Sequence, residues 1–131
     1  MKKFGLLNQP LVSVVAGMGH RDTIVIADAG LPIPEQTKRI DLALVSGIPG
    51  MVDVLKAVLG EMEVESVIIA VELENNSQEM HTSLMNIFAD IPIKTVPHEE
   101  FKQLTKNAKA VVRTGEFTPY ANIILIAGVT F

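Results

Sequence analysis

The chain has 131 residues, with 11 Lys and Arg against 15 Asp and Glu, so its formal net charge at pH 7 is −4. A chain of this length is expected to form one domain and to bury about two-thirds of its surface without disulfides or metals. The absence of cysteine excludes disulfides, thiolate metal sites and a cysteine nucleophile. An acidic chain with 5% aromatic residues is also a poor nucleic-acid binder. Because 48% of the residues are hydrophobic, we expect leftover apolar surface and a homo-oligomer.

The N-terminal segment superficially resembles a secretory signal, since two lysines precede apolar residues that continue to Met18. However, Asn8, Gln9 and Pro10 interrupt the apolar run, and no small-residue cleavage site follows. The longest apolar stretches, such as residues 123–129, are far shorter than the roughly 18 residues that cross a bilayer. We therefore expect a cytoplasmic protein that binds neither membrane nor nucleic acid.

Hydrophobic periodicity predicts a chain in which helices alternate with buried strands. Residues 10–18 carry apolar side chains at helical spacing and end at Gly19, which predicts a short amphipathic helix. Strands are predicted at residues 23–27, 39–44, 66–71, 91–96, 110–114 and 123–129. Further helices are predicted at residues 51–59 and 99–106. Between them, Asn76 and Glu79 resemble a capping box, which predicts that another helix begins there. The pattern predicts a single layered α/β domain over residues 1–131, with helices flanking a mixed or mostly parallel sheet.

Polar residues at the predicted strand ends are the first functional candidates, because ligands of open α/β sheets bind there. His20 precedes the strand at 23–27, and Asp28 follows it directly. A histidine can act as a general acid–base near neutrality, and Asp22 could orient its ring. Asp28 could accept hydrogen bonds from a ligand, held by the proline-containing loop behind it. A surface or capping histidine and a turn-capping aspartate are the plainer alternatives.

Two further polar clusters lie near the end of the chain. His98 opens a predicted helix with Lys102 one turn on, and a helix N-terminus favours a neutral, hydrogen-bonding imidazole. Tyr120 can pack on the apolar face of a sugar, while Asn122 offers both a donor and an acceptor. A plain helix start and an ordinary proline-containing turn would explain the same residues.

The motifs of nucleotide, metal and serine chemistry are missing. Gly17 and Gly19 lack the third glycine of a dinucleotide fingerprint and precede a strand, and there is no Walker loop or His-Glu-x-x-His. His20, Asp22 and Asp28 could be assembled as metal ligands, but nothing in their spacing requires a metal. We therefore expect a site without metal or cofactor, suited to proton transfer on a neutral polyol.

At these same positions the sequence resembles the D-ribose pyranase family, whose relatives include fucose mutarotases. The resemblance lies in the segments GHRD at 19–22, IADAGLPIP at 26–34, RIDLAL at 39–44, RTGEFTPYAN at 113–122 and AGVTF at 127–131. Residues 29–32 and 120–122 are similar to the pyranase branch rather than to the fucose enzymes.

The resemblance implies an isomerase that interconverts β-D-ribopyranose and β-D-ribofuranose, the form that ribokinase accepts. It implies that His20 is the proton donor, and that the D-ribose is bound by Asp28, His98, Tyr120, Ala121 and Asn122. It also implies a homodecamer of two stacked pentameric rings, with each site at a boundary between subunits. A non-catalytic sugar-binding accessory of ribose uptake, a fucose mutarotase and a purely structural ring-forming protein remain alternatives.

Overall fold

The computed structural model describes residues 1–131. The strands are β1 (Thr23–Ala27), β2 (Arg39–Asp41), β3 (Val64–Ala70), β4 (Ile93–Val96), β5 (Ala110–Arg113) and β6 (Ile123–Ala127). The helices are α1 (Gln9–Ala16), α2 (Met51–Leu59), α3 (Glu72–Asn76), α4 (Gln78–Ile87) and α5 (His98–Leu104), and a 3₁₀ turn at Thr105–Asn107 follows α5. None of the helices combines the length and the apolar character that crossing a membrane requires.

The strands form one mixed sheet in the order β2-β5-β1-β6-β3-β4. β6 runs antiparallel to its neighbours β1 and β3, whereas the other adjacent pairs are parallel. The carboxyl ends of five strands and the amino end of β6 therefore share one edge, which we call the carboxyl edge. We call the opposite edge, where β1 begins and β6 ends, the amino edge. The predicted single α/β domain with a mixed sheet is confirmed.

Strand β1 is buried on both faces of the sheet. Ile24 and Ile26 belong to a core cluster of 22 buried residues, which α1, α2 and α4 help to close. Val25 and Ala27 belong to a second cluster of 7 residues on the other face, which Phe101 of α5 helps to close. A strand buried on both sides needs apolar residues at every position, so β1 appears in the sequence as a continuous apolar run. Burial of each large aliphatic side chain contributes about 1.5–3 kcal/mol.

Several predicted boundaries are wrong for local reasons. Helix α1 ends at Ala16, because Gly17 is its C-cap and donates its N–H to the carbonyls of Ser13 and Val14. The predicted end at Gly19 is therefore two residues too late. The predicted capping box is absent, because Asn76 is the last residue of α3 and its side-chain amide donates to the Glu72 carbonyl at 2.7 Å.

Strand β2 is shorter than predicted. It ends at Asp41, whose carboxylate accepts a hydrogen bond from the N–H of Ala43 at 3.1 Å and turns the chain. Helix α3 (Glu72–Asn76) is not among the predicted helices. The other predicted strands and helices agree with the structure to within two residues at most ends, and Met51–Leu59 and Thr23–Ala27 agree at both ends.

Candidate active site

A polar pocket opens at the carboxyl edge, between the loop after β1 and the turn before β6. Its volume is about 300 Å³, at the lower end of the range for small-molecule sites. Its lining consists of Asp28, Gly30, Leu31, Pro32, His98, Pro119, Tyr120 and Asn122. The pocket thus brings together four of the six predicted site residues, although they come from three separate parts of the sequence.

Asp28 and Asn122 form a reciprocal pair in the floor of this pocket. The Asn122 side-chain oxygen accepts from the N–H of Asp28 at 2.8 Å, and its Nδ2 donates to the Asp28 carboxylate at 3.0 Å. The N–H of Gly30 donates to the other carboxylate oxygen at 2.9 Å. The pairing of Ile26 with Ile123 in β1 and β6 places the two residues opposite each other. Because Asn122 is fully buried, Asp28 is fixed before any ligand arrives.

His98 is held from three sides at the start of α5. Its backbone N–H donates to the Glu72 carboxylate at 2.9 Å. Its ring stacks on the buried ring of Phe101 with centroids 6.3 Å apart, and meets the Tyr120 ring edge-on at 5.1 Å. The ring atom Nδ1 is buried without a hydrogen-bond partner. Since buried polar atoms are nearly always paired, this nitrogen marks a position for a polar ligand group.

Tyr120 adopts a left-handed backbone conformation, with φ at 61°. This conformation is strained for a bulky residue, and such strain clusters at ligand sites. The next residue, Ala121, is fully buried and belongs to the larger core cluster. The single chain therefore presents no surface of Ala121 to a ligand, and its predicted contact with the sugar stays a prediction.

His20 lies at the amino edge, away from this pocket. It precedes β1, whereas Asp28 follows it, and the five residues of β1 alone span about 16 Å. His20 lines a separate surface depression of about 410 Å³ with α1, β6 and the C-terminus, including Met18, Gly128 and Phe131. A single chain therefore does not bring His20 to its own Asp28 pocket.

The residue that contacts the His20 ring is Glu65, not Asp22. His20 Nε2 lies 2.7 Å from Glu65 Oε2. The Asp22 carboxylate instead accepts from the N–H of Gly19 at 2.8 Å and lies 3.6 Å from the Lys109 ammonium. The prediction that Asp22 orients the ring is thus wrong. Glu65 is 45 residues away in sequence, and Glu72, which holds His98, is 26 away, so no local pattern could reveal either contact.

The structure also shows where Lys102 and the three candidate metal ligands lie. Lys102 forms an ion pair with Glu99 at 2.6 Å and does not line the pocket. The hydrogen bond and charge of Lys102 hold the pKa of Glu99 below its usual 4.5. No group of three or more His, Asp or Glu side chains lies close enough together to hold a metal ion. The set of His20, Asp22 and Asp28 is divided between the two edges.

The fold and the pocket define a small α/β domain with a polar, hydrogen-bonding pocket at the carboxyl edge of its sheet. The chain belongs to the RbsD / FucU transport protein family, whose model matches residues 1–130. This membership confirms the resemblance drawn from the sequence.

The similarity to individual members extends over the full length. The chain is 54% identical to a D-ribose pyranase of Geobacillus thermodenitrificans, covering 100% of this chain and 99% of that one. It superposes with a TM-score of 0.97 on Bacillus subtilis RbsD complexed with D-ribose, at 53% identity and 100% coverage of both chains. A fucose mutarotase from Streptococcus pneumoniae in complex with L-fucose gives a TM-score of 0.83 at 28% identity, covering 99% of this chain and 100% of that one.

Proposed function

We propose that this protein is a D-ribose pyranase, an isomerase that interconverts β-D-ribopyranose and β-D-ribofuranose. The observation that carries the proposal is the full-length similarity to a chain whose structure holds D-ribose, at 53% identity and a TM-score of 0.97. The relatives of 54% and 55% identity are themselves D-ribose pyranases. In ribose metabolism such an enzyme supplies the furanose to ribokinase.

The carboxyl-edge pocket supplies the groups that bind the sugar. The Asp28 carboxylate accepts hydrogen bonds from sugar hydroxyls, and the unpaired Nδ1 of His98 forms a hydrogen bond with another sugar hydroxyl. Tyr120 offers a ring face and a hydroxyl group. Asn122 lines the pocket and has one amide hydrogen left after its bonds to Asp28, and the buried Ala121 supports the turn between Tyr120 and Asn122.

The proton donor, His20, reaches this pocket from a neighbouring subunit. Exposed apolar side chains flank both edges: Leu44, Val45, Ile48 and Phe117 at the carboxyl edge, and Val129 and Phe131 near His20. Burying the amino edge of one copy against the carboxyl edge of the next is a head-to-tail contact, which generates rings when the rotation closes. The homodecamer of two pentameric rings that the family resemblance implies has this kind of contact.

The reaction needs one acid–base group and no cofactor. His20 gives its proton to the ring oxygen of the pyranose as the bond from that oxygen to the anomeric carbon breaks, and a water molecule takes the proton of the anomeric hydroxyl. The open aldehyde rotates, and the hydroxyl on the fourth carbon adds to the carbonyl carbon. That hydroxyl returns its proton to His20, while the water returns the other proton to the carbonyl oxygen. A positioned acid–base group contributes about 10²–10⁴-fold, which suffices for a ring opening that already proceeds in water.

The proposal is tested by NMR exchange between the pyranose and furanose signals of ribose. We expect His20→Ala to lose about 10²-fold or more of the rate, the typical contribution of such a group. Ribose affinity should stay within about tenfold, since the binding groups lie on the other edge. His81→Ala, which removes a histidine on α4, is the control. Wild-type exchange in His20→Ala would disprove the acid role.

Two other functions are distinguished by the same measurement. The family is described as a transport protein family, which favours a sugar-binding accessory of ribose uptake as the second candidate. Such a protein would bind ribose without accelerating exchange. A fucose mutarotase would accelerate the exchange of fucose more than that of ribose, and the lower identity of 28% to that enzyme disfavours it.

A further inference from the structure

We propose that Glu65 is the positioning residue of His20, and that it fixes which ring nitrogen delivers the proton. In this arrangement Nε2–H is held by the Glu65 carboxylate, and Nδ1 is the atom that exchanges a proton with the sugar. The inference deepens the proposed function and rests on it.

The contact itself carries chemical information. The atoms His20 Nε2 and Glu65 Oε2 are 2.7 Å apart, the separation of a charge-assisted hydrogen bond. An ionised carboxylate can only accept, so Nε2 must carry the hydrogen. Nδ1 has no partner within the chain. In the neutral ring Nδ1 is therefore the acceptor, and in the protonated ring it is the nitrogen whose proton can leave while the ring stays anchored.

Glu65 occupies the extra residue of a bulge in β3. Val64 pairs with Ala127, but Ser66 pairs with Ile126, so Glu65 has no partner on β6. Residues three apart on a regular strand point to opposite faces, yet Val64 and Val67 belong to the same core cluster. The bulge makes this possible and leaves Glu65 exposed beside His20. Bulges commonly re-aim a side chain next to an active site.

The turn that carries His20 is also held in an unusual conformation. Arg21 has φ at 69°, a left-handed value that is uncommon outside glycine. Its N–H donates to the carbonyl of Ala127 at 2.8 Å, and Ala127 donates back to the carbonyl of Asp22 at 2.9 Å. These bonds dock the turn on the end of β6, next to the bulge. The backbone thus fixes both partners of the His20–Glu65 pair.

The neighbouring acidic groups do not compete for the ring. Asp22 is engaged by Gly19 and Lys109. The Glu61 carboxylate accepts from the N–H of Leu6 at 2.6 Å. Glu63 lines the same depression without contacting the ring, so it is a matched control for a nearby negative charge.

The test compares Glu65→Ala, Glu65→Gln and Glu63→Gln in the full chain by NMR exchange of ribose. Groups that orient a metal-binding histidine are typically worth about 10–100-fold, and we take the same range for a proton-donating one. We expect Glu65→Ala to lower kcat by about that factor while KM changes less than about twofold, because the sugar is bound at the carboxyl edge. Glu65→Gln retains an acceptor and should fall between Glu65→Ala and the wild type. Glu63→Gln should behave like the wild type.

A spectroscopic measurement separates positioning from mere structure. In protein labelled with ¹⁵N-histidine, the neutral His20 ring of the wild type should show Nε2 protonated and Nδ1 unprotonated. Glu65→Ala should give mixed tautomers at His20 and leave His98 unchanged. The inference is overturned if Glu65→Ala keeps its kcat or if the His20 tautomer does not change. If Glu65→Ala does not fold, the kcat of Glu65→Gln and the His20 tautomer in the wild-type spectrum test the inference instead.

The inference and the proposed function fail in different ways. If the wild-type protein does not accelerate ribose exchange, the pyranase function falls, while the ¹⁵N spectrum still reports on the contact between Glu65 and His20. If His20→Ala is inactive but Glu65→Ala is fully active, the pyranase function stands and the positioning role of Glu65 falls.

Discussion

At the carboxyl edge Asp28 and Asn122 hold each other through two hydrogen bonds, and His98 is clamped between Phe101 and Tyr120. At the amino edge His20 has 51% of its side chain exposed and contacts a single carboxylate, that of Glu65. The first edge is a fixed, half-buried set of groups suited to binding. The amino edge presents the exposed imidazole ring of His20 to its surroundings. The proposed function requires that one copy binds the sugar and that its neighbour supplies the proton.

The largest expected effect comes from mixing two defective chains. His20→Ala and Asp28→Asn should each be nearly inactive alone. The two variants are unfolded together in equal amounts and refolded, so that rings assemble at random. Each boundary joins the amino edge of one chain to the carboxyl edge of another, and each edge is intact in about half of the chains. About a quarter of the boundaries therefore have an intact His20 facing an intact Asp28. The mixture should therefore regain about a quarter of the wild-type rate of ribose exchange.

The matched control mixes His20→Ala with Glu65→Ala, whose defects lie on the same edge. Each boundary then receives its whole amino edge from one chain, so every boundary remains defective and no activity beyond the average of the two variants should return. Failure of the first mixture to recover, with ring assembly verified by light scattering, would place the whole site within one chain or exclude His20 from it.

The residues that meet at each of the two edges could not be predicted from the spacing of residues alone. The sequence predicts β1, because a strand buried on both faces must be apolar throughout, and it predicts polar residues at both strand ends. It thereby places His20 and Asp28, eight positions apart, at opposite ends of one extended strand, too far apart to act on one ligand in one chain. What it does not show is which other residues each of them meets, because those contacts depend on how the strands pair in the sheet.

Asn122→Ala should have the next largest effect. It leaves the N–H and one carboxylate oxygen of Asp28 without a partner, and an unsatisfied buried group costs about 1–3 kcal/mol. We expect ribose affinity, measured by calorimetry, to fall about tenfold or more, since the freed Asp28 loses its fixed position. Asn86→Ala on α4, an exposed asparagine, should leave the affinity unchanged. Unchanged affinity in Asn122→Ala would remove this pair from the site.

Tyr120 allows the ring and the backbone to be tested separately. Both Tyr120→Ala and Tyr120→Gly lose the ring and should weaken ribose binding several-fold. Because φ at 61° is unfavourable for alanine but not for glycine, Tyr120→Gly should be more stable than Tyr120→Ala by about 1 kcal/mol in urea denaturation. If the alanine variant were the more stable, the left-handed conformation would not be imposed by the turn.

The two edges also differ in how far their contacts could be predicted. The residues of the carboxyl-edge pocket are short polar groups next to glycine, proline or a helix start, so their residue types already mark them as candidates. The contacts that hold His98 and His20 are made by Glu72 and Glu65, ordinary glutamates at the start of α3 and near the start of β3. Their roles depend on strand pairing and on a one-residue bulge, and neither is encoded in a local pattern.

The smallest expected effect concerns the ion pair beside His98 on α5. Lys102 holds the pKa of Glu99 below 4.5, so the pair stabilises the folded chain above that pH, and this stabilisation is lost as the pH falls through the lower folded value. Both groups reach solvent, so the contribution is small. Urea denaturation should show Glu99→Gln slightly less stable than the wild type at neutral pH, and the difference should shrink as the pH falls below 4.5 and Glu99 becomes protonated.

Glu100→Gln removes an adjacent exposed carboxylate that has no ion pair, so it should follow the wild type at neutral and at acidic pH. A difference between Glu99→Gln and the wild type that grows in acid would have the wrong sign for this pair. Ribose affinity should be the same in all three proteins at neutral pH, because the proposed function has the sugar bound by Asp28 and His98 rather than by Glu99. A loss of ribose affinity in Glu99→Gln alone would show that the sugar-binding surface extends along α5 to Glu99.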